Sequence, residues 1–470
     1  MSVDSGTTVA KRPVAGEPRP YTFPAFTRTH LDNGLAVIAV DLPGRSLLSG
    51  VLVMLGGAAD DPDDEAGATV LMGRALSEGT ELHDAVAFVE ATERLGASIH
   101  AEVGWDSVSI SVEVPAARFP AALGLAAEMA ELPTFPAGDV ERLRDERLND
   151  LLQARADPRR RAEDAFIETI YAPSSPYRHS AAGTRETVER LGPAEVRAAR
   201  SRGFDPGSMT LLVGGDLTGV DVHELAAARF GDWRPDPAAA GSGLVDAAAA
   251  SRERRIRVVH RPGAVQTEIR IGHPGLARRI PDFHAVAVMS TLLGGLFNSR
   301  LNRRLREEKG YTYGASAGFD LRRSAGPFSA RAAVNTDVTV PAVVDMMAEL
   351  ERIRTSPPSE AEVRAARDFL IGVFPLRFET PDAVIGSLSS LVVQGLPDDE
   401  LARYRPAVEG VDVDAAFEAA RAHVRPQEAA IVLVGDADAF LPALEAADLG
   451  PITVDREGPT SSEASDVDAA

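Results

Sequence analysis

The chain of 470 residues contains no cysteine. This absence excludes disulfide bonds, zinc sites built on thiolates and a cysteine nucleophile. Chains without cysteine are typical of reducing compartments, and we therefore predict a cytoplasmic protein.

Long hydrophobic runs are also absent. No apolar stretch reaches the roughly 18 to 20 residues that a membrane-spanning helix needs. The opening MSVDSGTTVAKRPVAGEPRP has no apolar core of signal-peptide length. We expect a protein that is neither exported nor inserted into a membrane.

Positive charge is scarce relative to negative charge. The chain has 49 Lys and Arg residues against 70 Asp and Glu residues, which gives a net charge of −21. This balance argues against nucleic acid or an anionic membrane as the main partner. It is compatible with a basic or unfolded substrate.

Closely spaced histidines are missing as well. The nine His residues stand at positions 30, 83, 100, 179, 223, 260, 273, 284 and 423. No two lie within five residues of each other, so no helix can present a pair of His ligands to zinc at positions i and i+4. A Walker-type phosphate loop is absent too.

What the sequence does contain is a pattern that occurs twice. Each half opens with a strand-like run, GLAVIAVDLP at 34–43 and RIRVVHRPG at 255–263, and closes on MTLLVGGD at 209–216 or AIVLVGDAD at 430–438. The matched segments are offset by about 220 residues. Between them VSISVEV at 108–114 alternates strictly, which predicts a strand with one buried face.

The repeat predicts an α+β fold of two homologous domains, each a mainly antiparallel sheet packed with helices, facing each other across a cleft. Segments rich in Pro, Gly and small or acidic residues mark the boundaries. The predicted divisions are a disordered tail at 1–22, a first domain at 23–237, a linker at 238–254, a second domain at 255–450 and a disordered acidic tail at 451–470.

Several stretches carry a resemblance to a known family. They are GATVLMGRALSEGT at 67–80, VERLRDERLND at 140–150, PYRHSAAGT at 176–184, SRLNRRLREEKGYTYG at 299–314 and the two strand ends LLVGGD and VLVGD. Together, in this order and spacing, they resemble the pitrilysin/insulinase family of zinc peptidases, over roughly residues 25–450.

The resemblance points to a zinc motif that has degenerated. Active members carry H-x-x-E-H on a helix, in which both His bind zinc and the Glu is the general base, and a later Glu completes the site. Aligned on the flanking glycines, these positions hold Val70, Gly73, Arg74 and Asp150.

These four residues cannot do the family's zinc chemistry. Val70 has no lone pair, Gly73 cannot accept a proton, and Arg74 is a cation that repels Zn²⁺. Asp150 alone is not a metal site. We therefore predict no catalytic residue, metal or other cofactor on this chain. If Arg74 is buried it needs a carboxylate partner, and Asp150 is the candidate.

The second half keeps a different family feature. Arg306 on a predicted helix precedes Tyr313, predicted on the next strand, by seven residues. In the family this pair binds a peptide carbonyl next to the scissile bond, as two donors aimed at one oxygen can. A second interpretation stays open, in which Arg303, Arg304 and Arg306 form one solvated helix face and Tyr313 packs in the sheet.

The resemblance implies that the chain is similar to the zinc-lacking subunits of bacterial two-chain members and, more distantly, to the alpha subunit of mitochondrial processing peptidase. The expected function is a non-catalytic, substrate-binding subunit of a heterodimeric zinc peptidase. A homologous partner subunit would carry the zinc, and the substrate would be a peptide or unfolded segment. The alternatives are a structural or binding protein without proteolytic work, and an enzyme with unrecognised chemistry.

Overall fold

The structure is a computed structural model that describes residue 16 and residues 19–234 and 243–456. In this part the chain forms two domains, each with a six-stranded sheet and helices packed against it. The predicted α+β class with two homologous domains is confirmed. None of the described helices is long and apolar enough to cross a bilayer.

The first domain begins with an edge strand and ends with a helix. Its strands are β1 (Thr27–His30), β2 (Ala36–Asp41), β3 (Leu47–Leu55), β4 (Ser98–Val103), β5 (Ser107–Pro115) and β6 (Met209–Gly215). Its helices are α1 (Ala68–Ala75), α2 (Ala85–Leu95), α3 (Phe119–Glu131), α4 (Ala137–Ala156), α5 (Pro158–Ile170), α6 (Arg185–Val188), α7 (Pro193–Gly203) and α8 (Val222–Phe230).

The second domain begins with an inner strand and ends with an edge strand. Its strands are β7 (Arg255–His260), β8 (Gln266–Pro274), β9 (Ala315–Phe319), β10 (Pro327–Asn335), β11 (Ala430–Gly435) and β12 (Ile452–Asp455). Its helices are α9 (Phe283–Ser290), α10 (Arg300–Asn302), α11 (Thr339–Thr355), α12 (Glu360–Val373), α13 (Pro381–Gln394), α14 (Glu400–Glu409), α15 (Val413–His423) and α16 (Ala437–Ala446). Two π-helical segments follow α9 and α10, at Thr291–Gly295 and Arg303–Glu308.

The two sheets share the order of five strands, β2-β6-β3-β5-β4 in the first domain and β7-β11-β8-β10-β9 in the second. The sixth strand differs: β1 pairs with β2 in antiparallel orientation, and β12 pairs with β7 in parallel orientation. Neighbouring strands are antiparallel except for the pairs β2–β6, β7–β11 and β7–β12. Even a local contact is repeated: Gly44 N donates to Asp216 Oδ2 at 2.9 Å, and Gly263 N donates to Asp436 Oδ2 at 3.0 Å. These equivalences support a duplication of one unit.

One face of each sheet packs against helices of its own domain. In β5 the alternating side chains Val108, Ile110, Val112 and Val114 are buried, as predicted for this strand. They join a core of residues from β2, β3, α1 and α3. The corresponding core of the second domain forms under β7, β8 and β10.

The opposite face of each sheet is covered by a helix from the other domain. Helix α13 packs on β3 and β6, and α5 packs on β8 and β11. Ile385 and Phe166, both fully buried, lie over glycines. A Cβ atom at Gly214 would come within 2.9 Å of Ile385, and one at Gly272 within 2.9 Å of Phe166. The glycines therefore allow the helices to approach closely.

Each crossing helix leaves the outer strands of the sheet uncovered. An open cleft of about 640 Å³ lies between β4, β5 and α13, and another of about 440 Å³ is lined by β8, β9, β10 and the start of α5. The predicted cleft between facing domains thus takes the form of one cleft on each sheet.

The domains also meet at their equivalent hairpin turns. Asp106, in the β4–β5 turn, accepts a hydrogen bond of 2.9 Å from Arg323 N, in the β9–β10 turn. The Arg322 Cζ atom lies 4.7 Å from the Trp105 ring centroid and 4.5 Å from that of Tyr177. The two equivalent turns therefore contact each other directly.

The predicted ends of the second domain need correction. Strand β12, at 452–455, falls inside the predicted disordered tail and pairs in parallel with β7. An ion pair of 2.6 Å between Asp455 and Arg257 holds it there, a contact that the short acidic segment did not reveal. The rest of that tail, 457–470, lies outside the described residues.

The predicted linker and amino-terminal tail are ordered where they are described. In the linker, 238–242 lie outside the described residues, but Val245 N donates to Ser324 Oγ at 2.9 Å. In the tail, the Tyr21 ring stacks on Phe378 with centroids 5.8 Å apart. Both segments pack against the second domain, a long-range contact that composition could not predict.

A buried histidine in β8 makes stability depend on pH. His273 is 1% exposed, its Nε2 accepts a hydrogen bond from Arg425 N at 2.9 Å, and burial lowers its pKa from 6.5 to about 3. The unfolded chain therefore binds a proton that the folded chain does not, between about pH 6.5 and 3. We expect the contribution of His273 to the free energy of unfolding to fall by about 1.4 kcal/mol for each pH unit of acidification in this window.

Urea unfolding at several pH values measures this dependence. The variant His273→Gln cannot titrate, so it should be less stable at pH 7 and show a shallower fall than the original chain. Equal slopes for both proteins would contradict the assignment.

Candidate functional site

Helix α1 carries the positions of the degenerate zinc motif. It begins after Gly67, whose φ of 99° is accessible to glycine, and the buried Asp61 carboxylate accepts hydrogen bonds from the backbone N–H groups of Gly67 and Thr69 at 3.1 Å. Arg202 pairs with Asp61 at 2.9 Å. Burial raises the pKa of this carboxyl, against the lowering effect of Thr69 and Arg202. These contacts of Asp61 fix the position at which α1 begins.

The structure brings Arg74 to the carboxylates of α4. Its Nη2 lies 2.9 Å from Glu146 Oε2, and its Nη1 lies 3.9 Å from Asp150 Oδ2. The expected pairing with Asp150 is present, although Glu146, which the sequence analysis missed, is the closer partner. Arg74 is exposed rather than buried, so no desolvated charge is involved. Glu146 precedes Asp150 by one helical turn, which is the signal that could have identified it.

Gly73 is buried and leaves no room for a catalytic carboxylate. A Cβ atom at this position would lie 2.4 Å from a methyl group of Val103 on β4. Val70, one turn earlier, is half-buried and apolar. The space that a general base would need is filled by the Val103 side chain. This helix therefore lacks both the functional groups and the room for zinc-peptidase chemistry.

Replacing Gly73 by Glu should therefore destabilise the first domain. Forcing a side chain against Val103 and burying a carboxyl group should cost about 3 kcal/mol of unfolding free energy. Gly138→Glu is the matched control, because Gly138 is an exposed helical glycine with no atom within 4 Å of a built Cβ. Chemical denaturation of both variants, and of Gly73→Glu combined with Val103→Ala, tests this. Equal stability of the two single variants would show that the site is open.

One group of potential metal ligands occurs in the described part of the chain, and it lies elsewhere. It consists of His260, Asp436 and Asp438. Asp438 already pairs with Arg456 at 2.6 Å, and His260 Nδ1 accepts a hydrogen bond from Ala437 N at 3.1 Å. These contacts satisfy the group as an internal cap of α16.

Arg306 and Tyr313 both line the cleft of about 440 Å³ in the second domain, on the sheet face that α5 partly covers. Arg306 lies in the π-helical segment after α10, with its Cζ 3.8 Å from the Phe297 ring centroid. Tyr313 is 96% exposed. The prediction that Tyr313 lies on a strand is wrong, because β9 begins only at Ala315 and Tyr313 occupies the bend before it. The bend frees its ring from sheet packing.

A polar contact holds this loop against the sheet. Asn302 Oδ1 accepts a hydrogen bond of 2.9 Å from Ala315 N, and Asn302 Nδ2 donates to Leu296 O at 3.1 Å. Gly310, with φ of 65°, lets the chain turn back after the helical segment. The helix and the first residue of β9 are thus fixed on either side of Tyr313.

Three further arginines line this cleft, and the sequence analysis missed all of them. They are Arg159 of α5, Arg270 of β8 and Arg331 of β10. Arg270 and Arg331 are directly opposite each other in the β8–β10 register. In the sequence, each of the segments that form β8 and β10 contains an arginine. Only the sheet topology shows that these two strands pair and bring the arginines together.

The equivalent cleft of the first domain has the opposite character. The outer face of β4 and β5 carries His100, Glu102 and Glu113 together with serines, and α13 contributes Asp382. The duplicated unit has therefore diverged into one acidic cleft and one cleft rich in arginine.

Comparison with known proteins identifies the family. The model described as "Insulinase (Peptidase family M16)" matches residues 37–181, and the model described as "Peptidase M16 inactive domain" matches residues 190–370. An uncharacterized zinc protease of Mycobacterium bovis is 26% identical over 75% of this chain and 80% of its own length. A non-peptidase homolog of Helicobacter pylori is 22% identical over 79% of this chain and 86% of its own.

A solved structure has the same fold. The peptidase M16 inactive domain from Pseudomonas fluorescens superposes with a TM-score of 0.81 at 22% identity, covering 87% of this chain and 98% of that one. Both domains and their order therefore agree with this family, while positions 70, 73 and 74 lack its zinc ligands and general base. The chain belongs to the insulinase family of peptidases, family M16, and is a member without the zinc motif.

Proposed function

We propose that the chain is the non-catalytic, substrate-binding subunit of a two-chain zinc peptidase. A homologous partner subunit carries the zinc and the general base, and this chain contributes the Arg306 and Tyr313 side chains. On its own the chain does not hydrolyse peptides. The observation that carries the proposal is the contrast between a zinc helix that has lost its ligands and a donor pair that remains open to solvent.

The donor pair is available for a ligand. Neither the Arg306 guanidinium nor the Tyr313 hydroxyl makes a hydrogen bond to another residue in the described ranges. Arg306 rests on the Phe297 ring, which leaves the edge of its guanidinium to donate. Two such donors can bind one carbonyl oxygen of a peptide.

The neighbouring strand suits an extended substrate. Strand β9 is at the edge of its sheet, so its outer backbone groups are not paired with another strand in the described part of the chain. A peptide or unfolded segment can add to such an edge through main-chain hydrogen bonds. It would then lie along the cleft that contains Arg306 and Tyr313.

The test is to purify the tagged chain from its native cells and identify what accompanies it by mass spectrometry. A near-stoichiometric partner with an H-x-x-E-H motif, and peptidase activity in the complex that a chelator abolishes, is the expected result. Because we propose that this chain is cytoplasmic, we expect the partner to be a cytoplasmic protein as well. Recovery of the chain alone would contradict the proposal.

A second candidate is a binding or structural protein with no part in proteolysis. The name of the Helicobacter pylori relative, a non-peptidase homolog, favours it. In that case Arg306 and Tyr313 would be inherited without a role, and unrelated proteins would accompany the chain in the same experiment.

A further inference from the structure

The cleft that contains Tyr313 has more positive charge than its surroundings compensate. Four arginines line it: Arg159, Arg270, Arg306 and Arg331. Only Arg270 pairs with described carboxylates, at 2.9 Å from Glu268 and 3.2 Å from Glu163. In the described ranges the guanidinium groups of the other three make no ion pair.

Arg331 is placed where the sheet alone would disfavour it. It lies directly opposite Arg270, and like charges at such positions destabilise a pair of strands. Its Nε donates to Ser316 Oγ at 2.8 Å, and its terminal nitrogens have no partner among the described residues. The first domain has Val51 and Ser111 at the equivalent register, without any charge.

The chain as a whole has a net charge of −21, so the cleft is more basic than the rest of the chain on average. Two arginines close to this cleft in the sequence do have carboxylate partners: Arg300 lies 2.8 Å from Glu362 and Arg304 lies 2.7 Å from Asp345. Three guanidinium groups that line one cleft and make no ion pair in the described ranges can bind an external anion. Guanidinium groups bind carboxylates through two parallel hydrogen bonds, which gives strength and orientation.

We infer that this cleft selects extended peptides that carry a carboxylate, with Arg159 and Arg331 as specificity-determining residues beside the Arg306–Tyr313 pair. The inference rests on the proposed function, because it takes the bound molecule to be a peptide. The carboxylate can come from an Asp or Glu side chain or from the peptide's own carboxyl terminus.

Binding of three labelled peptides to the full chain, together with any partner that co-purifies in stoichiometric amount, tests this by fluorescence anisotropy. The peptides share one neutral sequence. One has an amidated end, one has an amidated end and a central Glu, and one has a free carboxyl terminus. We expect at least one carboxylate peptide to bind about tenfold more tightly than the neutral one at low salt. That preference should shrink in 0.5 M salt, a concentration that screens surface charges.

Variants assign the preference to the cleft. Arg159→Gln and Arg331→Gln should each reduce it several-fold while the neutral peptide still binds, and both residues are exposed enough for folded variants to be expected. Arg94→Gln, on α2 of the first domain, is the matched control and should change nothing.

Each outcome has one meaning. Tighter binding of the Glu peptide identifies a side-chain carboxylate, and tighter binding of the free-ended peptide alone identifies the carboxyl terminus. Equal binding of all three peptides overturns the inference but leaves peptide binding intact. Failure of every peptide to bind overturns the proposed function as well.

Discussion

Removing the two donors of the open cleft should lower kcat/KM of the proposed complex with a zinc-bearing partner by about 10²–10³ for each donor. This is the usual effect of deleting one hydrogen-bond donor that stabilises developing charge on oxygen. The variants are Arg306→Ala and Tyr313→Phe. Because neither side chain is buried, both proteins should fold and remain associated with the partner. Steady-state peptide hydrolysis and size-exclusion chromatography measure the two effects.

Two neighbours provide matched controls. Arg303→Ala removes an exposed guanidinium from the same π-helical segment, and Tyr311→Phe removes a hydroxyl two residues before Tyr313. Neither residue lines the cleft, so both variants should keep full activity. If Arg306→Ala and Arg303→Ala behave alike, the helix face has only a solvating role, as the second interpretation of the sequence holds.

Replacing Phe166 by Ala should lower the free energy of unfolding by about 4 kcal/mol. The ring is fully buried in a cluster that joins α5 of the first domain to Val259, Val432 and Val434 of the second. Its loss leaves a cavity over Gly272 that the neighbouring strands cannot fill. The effect should appear in both domains, because this cluster belongs to both.

Urea unfolding followed by tryptophan fluorescence and circular dichroism tests this prediction. Phe369→Ala is the control, since Phe369 is 43% exposed on α12 and should cost less than 1 kcal/mol. We expect one shared transition that shifts for Phe166→Ala. A separate transition of the second domain at an unchanged midpoint would contradict a shared core.

Much of the fold could be predicted because its signals are local. Strict alternation in 108–114 gave β5 and its buried face. The offset between strand ends gave the repeated domain. Each of these depends on neighbouring residues whose periodicity is set by backbone geometry alone.

What could not be predicted depends on contacts between distant parts of the chain. The sequence does not show that α5 and α13 each pack on the sheet of the other domain. An apolar helix face has the same sequence pattern whichever sheet it covers. Arg331 can be assigned to the cleft only when the pairing of β10 with β8 is known. Glu146 can be recognised as the partner of Arg74 only when the packing of α4 beside α1 is known. Tyr313 was misplaced because Thr312 and Gly314 form a turn through their own hydrogen bonds.

The crossing helices also determine where a substrate can enter. To open a gap between the two domains, α5 and α13 would have to leave both sheets together and expose two apolar faces to water. We therefore expect the two domains to move together as one unit. Under the proposed function, a peptide would enter between this chain and its partner, and we expect the opening of that interface, rather than bending of this chain, to control the admission of long substrates.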